Sequence, residues 1–157
     1  MEIDNIIEQY ISHISEKYKI EGVLICGSYT TGLYNKDSDI DTLFLVQNHE
    51  FDMKLEVFKE ILFDRILVDY NILINILNSI SIISDILSYS LGSSQKIIVN
   101  SDKILEIIKL SKRNILDKNL KYIKPKNKQP KIVDNISYKI LNDVSNYHLI
   151  KSGNIII

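Results

Sequence analysis

Asp39 and Asp41 stand two residues apart at the head of the apolar run Ile40 to Val46. Side chains of an extended strand alternate between faces, so both carboxylates project to the same side, a few ångströms apart. Two anions held there repel, and partial burial disfavours their ionisation further unless a cation neutralises them. A donor set made only of oxygen favours Mg²⁺ or Mn²⁺. Asp69 interrupts the next apolar run, Arg65 to Ile74, and joins the first two acids if the two strands are neighbours; Asp64 competes with it for that place. Three carboxylates in one place hold two metal ions. Upstream, Gly27-Ser28 ends a β-branched run. The glycine lets backbone approach a ligand closely, and the turn's N–H groups and the serine hydroxyl offer donors to phosphate oxygens. An anion cradle and a metal cage therefore lie side by side. Ser38 reads equally as a turn hydroxyl or as a nucleotide contact.

This arrangement resembles the nucleotidyltransferase superfamily typified by DNA polymerase beta. The shared features are Gly27-Ser28, a spacer running here from Tyr29 to Ser38, the Asp39-Ile40-Asp41 triplet on a strand, and a third carboxylate, Asp69, on a later strand. The segment Gln95 to Asn100 before a helix also looks like one found in the family's antibiotic-modifying members, so the resemblance covers about the first 115 residues. It implies transfer of a nucleoside monophosphate from a nucleoside triphosphate, ATP by preference, to an acceptor hydroxyl with release of pyrophosphate. Asp39, Asp41 and Asp69 are then the catalytic and metal-binding residues, with two Mg²⁺ or Mn²⁺ ions. Gly27, Ser28, Ser38 and Lys36 fall to nucleotide binding. Minimal members of the family carry a basic residue where Thr31 stands, which leaves that counter-charge to Lys36.

The elements that must position these residues follow from periodicity. Ile3, Ile6, Ile7, Tyr10, Ile11, Ile14 and Tyr18 mark an amphipathic helix. Short apolar runs predict strands at Gly22 to Cys26, Ile40 to Val46, Arg65 to Ile74 and Lys96 to Val99. Helices are expected over Asp52 to Leu62, over Ile76 to Leu91 up to Gly92, and from a Ser101 N-cap to about Leu116. This alternation gives an α/β (α+β) fold, a small mixed β-sheet flanked by helices. The expected organisation is a nucleotidyltransferase domain over 1–117, a lysine- and proline-rich linker over 118–132, and a C-terminal helical tail over 133–157 carried by Val133, Ile136, Ile140, Val144 and Tyr147.

Composition removes other classes. The 157 residues carry 19 basic and 20 acidic side chains, so no global field gathers phosphate backbones and a nucleic-acid partner is not expected. No stretch is long and apolar enough to span a bilayer, and Met1 to Tyr10 lacks a signal peptide's basic start, so a cytoplasmic protein without a membrane partner is expected. Cys26 is the single cysteine, and His13, His49 and His148 have no zinc-ligand spacing around it. Nothing near Cys26 lowers its pKa, which argues against thiol catalysis. The glycines form neither a Walker loop nor a nucleophile elbow. Three functions stay open: a small-molecule nucleotidyltransferase, a minimal antitoxin-type enzyme that modifies a tyrosine on a partner toxin, and a nucleotide-binding module without activity. The acceptor is then a small-molecule or protein hydroxyl, and its site is expected to be either incomplete in this chain or shared between the subunits of a homodimer.

Overall fold

A computed structural model describes residues 2–122, 149–151 and 154–156. Its elements, in chain order, begin with α1 (Ile3–Ser15), β1 (Ile20–Cys26), α2 (Ser28–Thr31), β2 (Ile40–Val46), β3 (Asp52–Phe58) and β4 (Ile61–Val68). There follow α3 (Tyr70–Leu77), α4 (Ile82–Ser93), β5 (Gln95–Val99), α5 (Asp102–Asp117), and the short strands β6 (Leu120–Tyr122), β7 (Leu149–Lys151) and β8 (Asn154–Ile156). The main sheet is mixed and five-stranded, in the order β3-β4-β2-β1-β5. Only the β2–β4 pair is parallel; β1–β2, β1–β5 and β3–β4 are antiparallel.

The alternating side chains of β1, β2 and β4 feed two cores. Leu24, Cys26, Leu43, Leu45, Ile66 and Val68 face the helices α3, α4 and α5, where they pack with Leu73, Leu77, Ile86, Leu91 and Ile104. Val23, Ile25, Ile40, Phe44, Phe63 and Leu67 face α1, which buries Ile6, Ile7, Tyr10 and Ile14. Tyr10 is fully buried, its ring stacked on Phe63 with centroids 3.9 Å apart and edge-on to Phe44 at 5.9 Å. Its hydroxyl donates to Glu56. Burial and that acceptor carboxylate push the phenol's pKa well up, so it is a neutral donor at any ordinary pH.

Three expected elements differ in the structure. The Asp52 to Leu62 segment is not a helix but the strand β3, a reversal at Lys59-Glu60, and the start of β4. Lys59 and Glu60 both hold left-handed backbone, with φ of 48° and 68°, the geometry of a two-residue hairpin turn made without glycine or asparagine. Met53, Leu55 and Val57 fit a period of two, and the sheet supplies the pairing that decides it. The run expected as one strand from Arg65 to Ile74 also divides. It ends at Val68, and Asp69 caps α3, accepting from the Asn71 backbone N–H at 2.8 Å.

The expected helix over Ile76 to Leu91 is likewise two helices, broken between Leu77 and Ile82, with Ser81 capping the second. Gly92 allows α4 and α5 to touch, since a Cβ there would lie 2.9 Å from the Ser111 carbonyl carbon. Asn114 bridges the bundle, donating to Leu77 O at 2.8 Å and Ser88 Oγ at 2.9 Å. Ser101 caps α5 as expected, accepting from Ile104 N at 3.2 Å. Most of the expected linker and the tail-helix residues Val133 to Tyr147 lie outside the described residues. Within the linker range Leu120–Tyr122 is a strand, and within the tail range Leu149–Lys151 pairs with it antiparallel, while Asn154–Ile156 pairs with Leu149–Lys151. Among the described residues no single helix is long and apolar enough to cross a membrane.

Candidate active site

The register of the main sheet assembles the acids. Cys26 on β1 is the Cα partner of Asp41 on β2, Asp41 is the partner of Asp64 on β4, and Asp64 is the partner of Leu55 on β3. Directly opposed residues share a face, so these side chains form one row across the sheet. One row further in, Leu24, Leu43, Ile66 and Met53 are opposed in the same way and lie under the helices. The acids thus sit where helical cover ends. Asp39, two residues before Asp41, projects from the strand's entry onto the same side. Carboxylate oxygens of Asp39, Asp41 and Asp64 all lie within 4.8 Å of one another.

Electrostatics follow from that crowding. Burial holds the Asp39 carboxyl above the usual carboxylate range. Asp41 is raised much further, first by burial and then by the charges of Asp39 and Asp64. The same two effects, burial first and then Asp41 and Asp64, push the Cys26 thiol up, which bears against a thiolate nucleophile there. Three clustered carboxylates, with Asp39 and Asp41 held above the usual range, are a donor set suited to hard divalent cations. The residues present therefore fit Mg²⁺ or Mn²⁺ on the chemistry of their oxygens.

Asp69 is not in this group. Asp64 stands near the entry of β4 and Asp69 beyond its exit, five residues on, which is about 16 Å of strand. Its carboxylate is engaged at the opposite end of the strands, where Oδ1 caps α3 and Oδ2 accepts from Asn48 N at 3.2 Å. The place expected for Asp69 is held by Asp64, the acid that competed with it. The β3–β4 hairpin, which replaces the expected helix, gives β4 its start and sets Asp64 opposite Asp41.

The turn after β1 takes shape around Gly27. Its φ of 73° with ψ of −151° is backbone open essentially to glycine alone. This conformation turns the chain into α2, whose first residue is Ser28. Thr30 fixes α2 from behind. Its hydroxyl donates to Gly27 O at 2.8 Å, and Ser94, just ahead of β5, donates to it at 3.0 Å. Leu33 N reaches back to Ser28 O at 3.1 Å. Lys36 and Ser38 lie in the turn that leads into Asp39. Ser38 Oγ accepts from Asn35 N at 3.1 Å and Asn35 Oδ1 accepts from Asp37 N at 2.9 Å, so Ser38 braces the turn, while Lys36 is exposed on it. Tyr34, its pKa raised by burial and by the charge of Asp39, stands between this turn and Tyr29. Turn and acids together form an open site at one end of the sheet, with hydrogen-bond donors beside a carboxylate cluster. Such a site can hold a polyanion through a shared cation.

Comparison with known proteins agrees with the geometry. The nucleotidyltransferase domain model matches residues 7–141, which takes in most of α1, the Gly27-Ser28 turn and all three clustered acids. No curated protein gives a significant match to the chain.

Proposed function

The chain belongs to the nucleotidyltransferase domain family, and on that premise we propose that it transfers the nucleoside monophosphate of ATP to a hydroxyl of a small molecule and releases pyrophosphate. The family supports nucleotidyl transfer from a nucleoside triphosphate in general terms. The observation that carries it is the grouping of Asp39, Asp41 and Asp64 oxygens within 4.8 Å on one open face.

Asp39, Asp41 and Asp64 would hold two divalent ions. Bound there, Mg²⁺ or Mn²⁺ supplies charge neutralisation and Lewis acidity at the phosphoryl oxygens. Gly27 and Ser28 bind the triphosphate through backbone N–H groups and the Ser28 hydroxyl, and Lys36 offers it a cation from the adjoining turn. With the triphosphate on the β1 side of the acids, the acceptor approaches from the β4 side. The acceptor oxygen then forms a bond to the α-phosphorus as the bond from that phosphorus to the bridging oxygen of pyrophosphate breaks. Asp64, the acid on the acceptor's side, takes the proton the hydroxyl loses.

Thermal unfolding with ATP, with and without Mg²⁺, tests this reading. ATP at one hundred times its dissociation constant should add about 2.7 kcal/mol of stability when Mg²⁺ is present. Equal stabilisation by ATP in excess chelator would overturn it, because triphosphate and acids would then share no ion.

A further inference from the structure

The row that carries the acids does not end with them. Leu55 on β3 is the direct cross-strand partner of Asp64, and Val57 is the partner of Leu62 on β4. Leu62 lies two residues before Asp64 and so shares its face. Leu55 and Val57 are large apolar side chains left 51% and 70% exposed, and Leu62 is half-buried. Met53, on the same face of β3 but one row further in, packs against the helix-covered core. Helical cover therefore stops at Met53, and three apolar side chains continue the open surface outward from Asp64.

The charges of β3 point elsewhere. Lys54 and Glu56 alternate onto the α1 face, where Lys54 is the partner of Arg65. Glu56 accepts there from Tyr10 and pairs with Arg65 at 3.6 Å and with Lys54 at 3.7 Å. Neither a cation nor an anion of β3 is thus available on the shelf. An acceptor whose body carried several charges would bury them against Leu55, Val57 and Leu62 with no counter-charge from β3, at a cost that a neutral body avoids. Exposed apolar area of this kind next to a reactive group marks a binding surface.

We propose that Leu55, Val57 and Leu62 form the acceptor-binding shelf and select a neutral hydroxyl compound with an apolar or aromatic body. This rests on the nucleotidyl-transfer reading, which assigns the β4 side of the acids to the acceptor. Contact with the shelf brings the hydroxyl of such a compound to Asp64, since Leu55 and Asp64 are opposed in the same row.

Methyl-labelled protein titrated with N-acetyltyrosinamide, a neutral phenol, and separately with glucosamine, a charged amino sugar, tests the shelf. Both titrations are run with and without Mg²⁺ and a non-hydrolysable ATP analogue. The phenol should shift the Leu55, Val57 and Leu62 methyl resonances and glucosamine should not. The double variant Leu55→Gln, Val57→Thr changes only exposed side chains, and it should weaken the phenol about tenfold or more while leaving affinity for the Mg²⁺–nucleotide complex unchanged. Shelf methyls that ignore the phenol or respond equally to glucosamine, or phenol affinity undiminished in the double variant, would overturn the proposal. Failure of the nucleotide to bind with Mg²⁺ in the unaltered protein is a separate readout, and it counts against the transfer reading itself.

Discussion

Asp41 and Asp64 face each other across the parallel β2–β4 pair, each the Cα partner of the other, with the half-exposed Asp39 completing the group. Like charges directly opposite on a sheet destabilise it. The fold therefore contains a local repulsion that ligation by a divalent cation would remove, and such ligation would couple the stability of the sheet to the chemistry of the site.

That coupling has a sign. Asp39 and Asp41 titrate above the usual range in the folded chain, through burial and, for Asp41, the neighbouring carboxylates. In the unfolded chain both fall near about pH 4. Stability from a raised pKa is fully present below the unfolded value and is lost as pH rises through the folded one. In chelator, melting temperature should fall as pH rises from about 4 towards neutrality. Millimolar Mg²⁺ should flatten that fall, and melting curves against pH with the two additives check it.

Asp41→Asn removes one of the crowded charges. Without metal the variant should melt at or above the temperature of the unaltered chain at neutral pH, yet lose nucleotidyl transfer and the Mg²⁺-dependent gain with ATP. Full transfer by a folded Asp41→Asn protein would show that the group is structural.

Asp64→Asn and Asp69→Asn separate the two acids that compete for the third position. The first should abolish pyrophosphate release while keeping the fold. The second weakens a helix cap, costing at most about 1 kcal/mol, and should leave activity in place. The reverse pattern in a pyrophosphate assay would return the third role to Asp69.

Gly27→Ala places a Cβ on backbone at φ 73° and ψ −151°. Such strain costs about 1–3 kcal/mol, or the turn relaxes and moves Ser28. Either way ATP affinity should drop, while Asn114→Ala, which removes two buried hydrogen bonds in the helical layer, should cost about 1–3 kcal/mol and leave nucleotide affinity unchanged. Chemical denaturation paired with nucleotide titration distinguishes the two.

Much of this site is legible in the sequence because it is local. Val23 to Cys26, the Gly27 turn and Ile40 to Val46 announce strand, turn and strand through residue type alone, and the two strands pair with each other. Asp64 is not legible in the same way. The hairpin that positions it turns on Lys59-Glu60, a pair with none of the usual turn residues, so nothing in the chain marks where β4 begins. Asp69 reads in the sequence as the interruption of a strand because Tyr70 to Leu77 is as apolar as the strand before it; its cap to Asn71 identifies the change to a helix. The pairing of Leu149–Lys151 with Leu120–Tyr122 joins segments far apart in the chain, and no local pattern encodes it.

Tyr10 on the far side of the sheet acquires a second meaning from these pairings. A slip of one residue between β2 and β4 would send Asp64 beneath α1 and bring Phe63 or Arg65 up beside Asp41. Phe63 cannot make that move while its ring is stacked on Tyr10, and Tyr10 is itself tethered through its hydroxyl to Glu56 on the next strand. The aromatic pair thus acts as an alignment pin: without facing the acids, it fixes which side of β4 does the chemistry.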